Sequence, residues 1–178
     1  MINKTEYRII LSSLICVGCV FLLKSNLEYT TITFGLIMGL SNFQTIKINK
    51  VLGVVLCVLF SFLSFLIAFL SFGLFSSDMS LINQDLANVL SLLISAYIIA
   101  PVSLLILYSF IFNYGNFKTK KVYITLSIIL LLVVGYLIPY FKVFEKNIVI
   151  FSIWQITMSF VIHIVLGKRT PKRNRQWF

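Results

Sequence analysis

The sequence predicts an all-α integral membrane protein: a bundle of about six transmembrane helices with short loops and both termini in the cytosol. Two observations support this fold class. Of the 178 residues, 60% are hydrophobic and only 11% are charged, whereas a soluble domain is about half apolar and about a quarter charged. The apolar residues also form runs close to the length of a membrane span, which is roughly 17–25 residues for a helix.

Six apolar runs follow one another, and each is predicted to be a helix because lipid offers no partner for the backbone of an open strand. The predicted spans are Tyr7–Leu23, Tyr29–Phe43, Val51–Phe75, Leu86–Phe112, Val122–Phe141 and Ile148–Leu166. The second run is short and more polar, so four spans result if residues 7–43 do not cross as a hairpin. Pro101 and Pro139 are expected to kink their helices, because proline removes a backbone donor. Residues 1–166 then form one helical bundle, and residues 167–178 form a basic cytosolic tail.

The distribution of charge predicts the orientation. With six spans and a cytosolic N-terminus, the cytosolic segments carry 12 of the 15 Lys and Arg residues, and the external loops carry four of the five acidic residues. Membrane proteins show this positive-inside bias. Five spans would place the tail outside and lose it. No small-x-small cleavage site follows the first run, so we expect that run to remain as a span.

Small residues along the second and third spans favour close helix contact. Gly35 and Gly39 form a small-x-x-x-small pair in the second span. On a helix with about 3.6 residues per turn, one face of the third span collects Gly53, Cys57, Ser61, Ser64, Ala68 and Ser71. Small side chains let helix backbones approach each other in lipid. This face is predicted to pack against another helix of the chain or, alternatively, against a second copy in a homo-oligomer.

Polar side chains form a stripe on the last span and a similar set on the fourth. The residues are Ser152, Gln155, Ser159 and His163 on the last span, and Asn88, Ser91 and Ser95 on the fourth. Polar groups in a membrane avoid lipid and find partners inside the bundle. The stripe therefore predicts either hydrogen bonds between helices or a polar path or pocket.

The residues that catalysis would require are sparse. Cys16 and Cys19 form a C-x-x-C pair, but the pair lies inside an apolar run and has no second pair, whereas a zinc site needs about four ligands. We interpret these cysteines as packing residues, with a membrane thiol-oxidoreductase as the alternative. No Asp or Glu lies within any of the six predicted spans, and the sequence contains no nucleotide-binding loop motif. We therefore predict no catalytic residue, no metal site and no cofactor.

The tail GKRTPKRNRQWF combines basic residues with a terminal aromatic pair. The residues concerned are Lys168, Arg169, Lys172, Arg173, Arg175, Trp177 and Phe178. Basic clusters beside a membrane attract anionic lipid, at about 1 kcal/mol per charge, while Trp and Arg are favoured anchors in protein interfaces. The tail is predicted to contact membrane lipid or a cytosolic protein partner. Nucleic acid is expected to be attracted only indirectly, through its phosphates.

The layout of closely spaced spans, minimal soluble mass and the basic ending KRTPKRNRQWF resembles the KwaA family, the small membrane subunits of the bacterial Kiwa anti-phage defence system. The resemblance implies an oligomeric membrane sensor or anchor that works with a cytosolic effector subunit. We predict a non-enzymatic, oligomeric sensor or scaffold in the bacterial cytoplasmic membrane that recruits or controls a cytosolic partner. The length and span count are also similar to the small substrate-binding subunits of vitamin transporters. The alternative function is a transport or channel subunit that uses the polar faces of the fourth and last helices.

Overall fold

The computed structural model describes residues 4–23, 26, 28–79, 84–112, 117–137 and 146–166. Its helices are α1 (Lys4–Leu22), α2 (Glu28–Ser41), a 3-10 turn (Phe43–Thr45), α3 (Lys50–Met79), α4 (Gln84–Ile94), a π-helical turn (Ser95–Ile99), α5 (Ala100–Ile111), α6 (Phe117–Leu137) and α7 (Lys146–Leu166). Within these ranges the predicted all-α class is confirmed, and the one isolated β-bridge joins Ile46 to Phe112. Because α4, the π turn and α5 run on without a break, the described chain forms six helical rods.

Several predicted boundaries need correction. The second span ends at Ser41 and gives way to a 3-10 turn, whereas the prediction continued the helix to Phe43. The third helix extends past Phe75 to Met79, and the fifth rod begins at Phe117, before the predicted start at Val122. The predicted end of that span at Phe141 lies outside the described residues. The predicted kink at Pro139 lies outside the described residues.

Two rods of the described chain are long and apolar enough to cross a membrane by length and composition, and they cover Lys50–Ser77 and Ala87–Ile111. Shorter apolar stretches occupy Tyr7–Leu22, Ile124–Val133 and Phe151–Leu166. Large hydrophobic residues are exposed on every rod, while Ser, Thr, Gln and His side chains are among the buried ones.

Helix α3 is the central element. It packs against α2 on one side and against α4, the π turn and α5 on the other. Helix α7 packs between α1 and α6, and α1 also contacts α2. The start of α3 is set by Asn49, whose Oδ1 accepts hydrogen bonds from the backbone N–H groups of Val51 and Leu52, at 3.0 and 3.3 Å. This is the N-cap arrangement that satisfies donors lacking a partner in the first turn of a helix.

Basic residues gather at one end of the bundle, which we call the basic end and define by Arg8, Lys47 and Lys50. Arg8 donates to the carbonyl of Ser41 at the end of α2, and Lys47 donates to the carbonyl of Ser109 near the end of α5, at 2.8 Å. Cations are stabilised at helix C-termini because carbonyl groups there lack helical partners. The start of α1 and the ends of α2 and α5 therefore share this end.

Candidate functional site

A cavity of about 360 Å³ lies between α2, α3, the α4–α5 rod and α7. We call it the four-helix cavity. Six of the fifteen residues that line it are aromatic: Phe34, Phe65, Phe69, Phe72, Phe151 and Trp154. Five polar side chains also line it: Thr31, Ser61, Ser64, Ser95 and Gln155. The rings pack in part against each other, with Phe34 and Trp154 centroids 5.6 Å apart and Phe65 and Phe69 centroids 6.4 Å apart.

The cavity occupies the middle of the bundle and the half that is remote from the basic end. Thr31 lies in the first turn of α2, Phe72 lies far along α3 from Lys50, and Phe151 lies in the first half of α7. The same half holds the π turn, whose Ser95 and Ala96 contribute to the wall. The cavity and the basic end are therefore separate features of one bundle.

The π turn supplies a backbone carbonyl that the cavity wall uses. The N–H of Ala100 bonds to the carbonyl of Ser95, so it is not available to Ala96, and the next residue, Pro101, has no N–H to offer. The carbonyl of Ala96 therefore lacks a helical donor. The indole N–H of Trp154 on α7 donates to it at 2.9 Å, which fixes the Trp154 ring against the α4–α5 rod.

Two polar atoms of the cavity wall have no partner within the described protein: Ser95 Oγ and Gln155 Oε1. Both side chains are only 1% exposed. Gln155 uses its other amide atom, Nε2, to donate to the carbonyl of Thr30 at 3.2 Å. Since a carbonyl only accepts, this contact requires the amide nitrogen and leaves the amide oxygen unpaired. A buried acceptor without a donor is costly, by about 1–3 kcal/mol.

Next to the cavity, the close contact between α2 and α3 depends on glycine. A Cβ atom at Gly35 would lie 2.6 Å from the carbonyl oxygen of Cys57 and 2.7 Å from Cα of Val58, and one at Gly39 would lie 3.1 Å from Cα of Val54. Helices α2 and α3 therefore touch backbone to backbone. We call the contact of α2 and α5 with α3 the seam, and define it by Gly35, Gly39, Ser61, Ser64 and Tyr108.

The hydroxyl groups of the seam are paired. Ser61 Oγ and Tyr108 OH lie 2.7 Å apart. Ser64 Oγ donates to the carbonyl of Ala100 at 2.9 Å and also lies 3.0 Å from Ser103 Oγ. Each contact joins α3 to α5. Such hydrogen bonds between helices contribute roughly 0.6–2 kcal/mol in a membrane.

The structure places most of the predicted packing face inside the chain. Gly53, Cys57 and Ala68 are buried with the seam residues, whereas Ser71 is half-buried and donates to the carbonyl of Ile67. Of the two alternatives for this face, contact within the chain is the one that the geometry displays. A homo-oligomer would have to use another surface.

The polar stripe is only partly brought together. Ser95 and Gln155 meet at the four-helix cavity. Ser159 turns to α1, where its Oγ lies 3.1 Å from Ser12 Oγ, and its carbonyl lies 2.7 Å from His163 Nδ1. Ser91, Ser152 and His163 are buried with Ser91 Oγ, Ser152 Oγ and His163 Nε2 unpaired within the described protein. Asn88 is exposed on the outer surface of α4, away from the rest of the stripe.

The remaining predicted residues lie elsewhere. The whole tail, with Lys168, Arg169, Lys172, Arg173, Arg175, Trp177 and Phe178, falls outside the described residues. Cys16 and Cys57 are buried as free thiols, and Cys19 is half-buried. Among the described residues, no group of three or more His, Cys, Asp or Glu side chains could hold a metal ion.

Sequence reasoning missed three contributors to the cavity. Trp154 was not singled out, although it directly precedes Gln155 in the stripe. Phe65, Phe69 and Phe72 of α3 and Thr31 of α2 were not assigned to a site. An aromatic residue adjacent to a polar stripe was the available signal, because a wall that combines rings with a few polar groups is typical of ligand sites.

Comparison with protein families, curated proteins and solved structures finds no match for this chain.

Proposed function

We propose that this chain is a non-enzymatic, multi-pass sensor subunit of the bacterial cytoplasmic membrane that binds a small molecule in the four-helix cavity. In this proposal both termini are cytosolic, the protein works as an oligomer, and ligand binding controls a cytosolic protein partner. The observation that carries the proposal is the cavity, which combines aromatic walls with two unpaired polar atoms. Small-molecule sites are mainly apolar hollows with a few convergent polar groups.

The arrangement of side chains supports the membrane part of the proposal. Leu14, Leu70 and Phe110 are more than 60% exposed on three different helices, whereas Gln155 and His163 are nearly fully buried. Water would favour the opposite arrangement, and lipid favours this one because polar groups seek partners inside a bundle. The clustering of Arg8, Lys47 and Lys50 at one end agrees with a single cytosolic face.

Reporter fusions test the orientation. Fusions at residues 1 and 178 are expected to report a cytosolic location, and one in the loop at 76–84 is expected to report an external one. A cytosolic signal from that loop would contradict the six-span arrangement and would place the cavity in the cytosolic half of the membrane.

Small-molecule extraction tests the binding function. Ala68→Leu adds a side chain at the cavity wall, while Gly73→Leu adds the same side chain on the same helix where a Cβ would meet nothing within 4 Å. Mass spectrometry of the purified proteins is expected to show a small molecule enriched with the wild type and with Gly73→Leu, but depleted in Ala68→Leu. Equal contents in all three proteins would contradict the cavity as the binding site.

The tail supplies the test for the partner. Trp177→Ala with Phe178→Ala keeps every basic charge, so attraction to anionic lipid is preserved while a protein pocket loses its anchors. We expect this variant to insert normally and to lose a soluble protein that co-purifies from the native host. If no soluble protein depends on the two rings for its co-purification, the proposed control of a cytosolic effector is contradicted. The proposed Kiwa-like arrangement of membrane subunit and effector is then contradicted as well.

A transport subunit is the second candidate, favoured by the position of the cavity remote from the basic end. With the proposed orientation that half faces the outside, where a substrate would enter. Uptake of the co-purifying molecule into cells distinguishes the two functions: accumulation that requires this chain indicates transport, and binding without accumulation indicates sensing.

A further inference from the structure

We propose that the ligand of the four-helix cavity is a neutral molecule of one or two flat rings that donates a hydrogen bond through an N–H or O–H group to Gln155. This inference rests on the binding function proposed above and names the chemical class of the ligand. Three properties of the wall lead to this inference: the lack of charged side chains, the aromatic rings and the unpaired acceptor of Gln155.

The wall selects against charge. Among the described residues that line the cavity there is no Asp, Glu, Lys, Arg or His. An ion moved from water into such a site loses its hydration without gaining a counter-charge, which is strongly unfavourable. The ligand is therefore neutral in its bound form.

The wall selects for flat rings of limited size. The cavity volume of about 360 Å³ is near the lower end of the range for ligand pockets, which is roughly 300–1,000 Å³. Phe65 and Phe69 stand nearly parallel, with 24° between their planes, and Trp154 is held in place by its bond to Ala96. Aromatic faces and edges bind another ring in stacked or edge-on geometry.

Gln155 determines the direction of the hydrogen bond. Its Nε2 atom is committed to the Thr30 carbonyl, so the atom it can offer is Oε1, which only accepts. Oε1 is buried in the wall. Because the terminal torsion of glutamine is broad, a rotation small enough to keep the contact between Nε2 and the Thr30 carbonyl brings Oε1 toward a bound group. A donor on the ligand removes the cost of this unpaired acceptor, while an analogue without a donor leaves that cost in place.

Ser95 provides a second, less selective contact. Its hydroxyl can donate or accept, and it lies in the π turn, on a different helix from Gln155. It therefore adds affinity for a polar atom of either kind. Gln155, and not Ser95, is expected to set the requirement for a donor.

Indole and benzofuran provide a matched pair of probes, because they share size and shape but only indole has an N–H. Binding is measured by equilibrium dialysis against the full chain in lipid nanodiscs, with empty nanodiscs subtracted. The wild type is expected to bind indole roughly tenfold or more tightly than benzofuran. Gln155→Leu is expected to bring the ratio to about one, and its thermal unfolding establishes that it is folded. Indole-3-acetate, the anionic analogue, is expected to bind at least about tenfold more weakly than indole.

The outcomes separate this inference from the proposed function. Equal affinity of the wild type for indole and benzofuran, with both lost in Ala68→Leu, overturns the donor requirement but keeps the cavity as a binding site. If indole-3-acetate binds as tightly as indole or more tightly, the inference that the ligand is neutral is wrong. If Ala68→Leu leaves the affinity for indole unchanged, indole does not bind in the cavity, and the inference of a flat-ring ligand is wrong. The mass spectrometry of the purified proteins then decides independently whether the cavity binds any small molecule.

Discussion

The seam and the four-helix cavity adjoin each other on α3, where Ser61 and Ser64 belong to both, but the polar groups of the seam and those on the far walls of the cavity are used differently. In the seam, Ser61 and Ser64 are paired with groups of α5 at 2.7–3.0 Å. At the cavity wall, Ser95 Oγ and Gln155 Oε1 have no partner in the described protein. A polar residue that faces inward can thus serve stability or binding, and its partners distinguish the two.

The largest expected effect lies in the seam, at Gly35. Gly35→Ala would push a Cβ into the backbone of α3, which cannot move aside as a flexible side chain would. We expect destabilisation at the upper end of the roughly 1–3 kcal/mol typical of overpacking. The control is Gly18→Ala, since a Cβ at Gly18 meets nothing within 4 Å, and its removal of backbone freedom is expected to stabilise the helix by about 0.5–1 kcal/mol.

Thermal unfolding in detergent measures both variants. If Gly35→Ala proves as stable as Gly18→Ala, helices α2 and α3 are not in backbone contact. The seam would then no longer differ from the cavity side in packing.

The next effect concerns the hydrogen bond between the Trp154 indole N–H and the Ala96 carbonyl at the cavity wall. Trp154→Phe is expected to cost about 1–3 kcal/mol, because it leaves the Ala96 carbonyl without a donor. Pro101→Ala restores a backbone N–H in the same helix, so the cost of Trp154→Phe should shrink in that background. The change in ring size is common to both backgrounds and cancels in the double-mutant cycle. An equal cost in both backgrounds would show that Pro101 does not free this carbonyl.

The smallest expected effect on stability comes from replacing either of two serines, Ser64 and Ser95, which are equally buried at 1% exposure each. Ser64→Ala removes two hydrogen bonds and is expected to destabilise the protein by roughly 1 kcal/mol. Ser95→Ala removes an unpaired hydroxyl, so stability is expected to stay constant or rise slightly. Denaturant titration of the pair in parallel gives the comparison. A larger loss at Ser95 than at Ser64 would reverse the assignment of the two regions.

The apolar runs predicted the helices well, because burial and lipid both require long hydrophobic segments. The glycine spacing of α2 likewise pointed to close contact, since only a missing side chain permits it. The cavity could not be derived in this way. It depends on where four helices fail to fill space, which is a property of their mutual positions and not of any one segment.

The polar stripe shows the same limit at the level of single residues. Helical spacing placed Ser152, Gln155, Ser159 and His163 on one side of α7, and all four are buried. Spacing could not foresee that Ser159 would pair with Ser12 while Gln155 Oε1 would remain unpaired. The helical wheel also assumes a constant rotation per residue, which the π turn in the fourth rod does not obey.

That π turn has a consequence for the tolerance of the gene to changes in length. In a regular helix Ser95 and Ser103 would be about 80° apart, but a turn that absorbs one extra residue brings them to within about 20° of each other. Loss of one codon within 95–99 would therefore leave a regular helix whose two halves keep their present orientation toward α3. A substitution that straightened the turn at constant length would instead rotate one half by about 100°. At this point of the chain a one-codon deletion is the milder change, whereas elsewhere in a packed helix it is among the most disruptive.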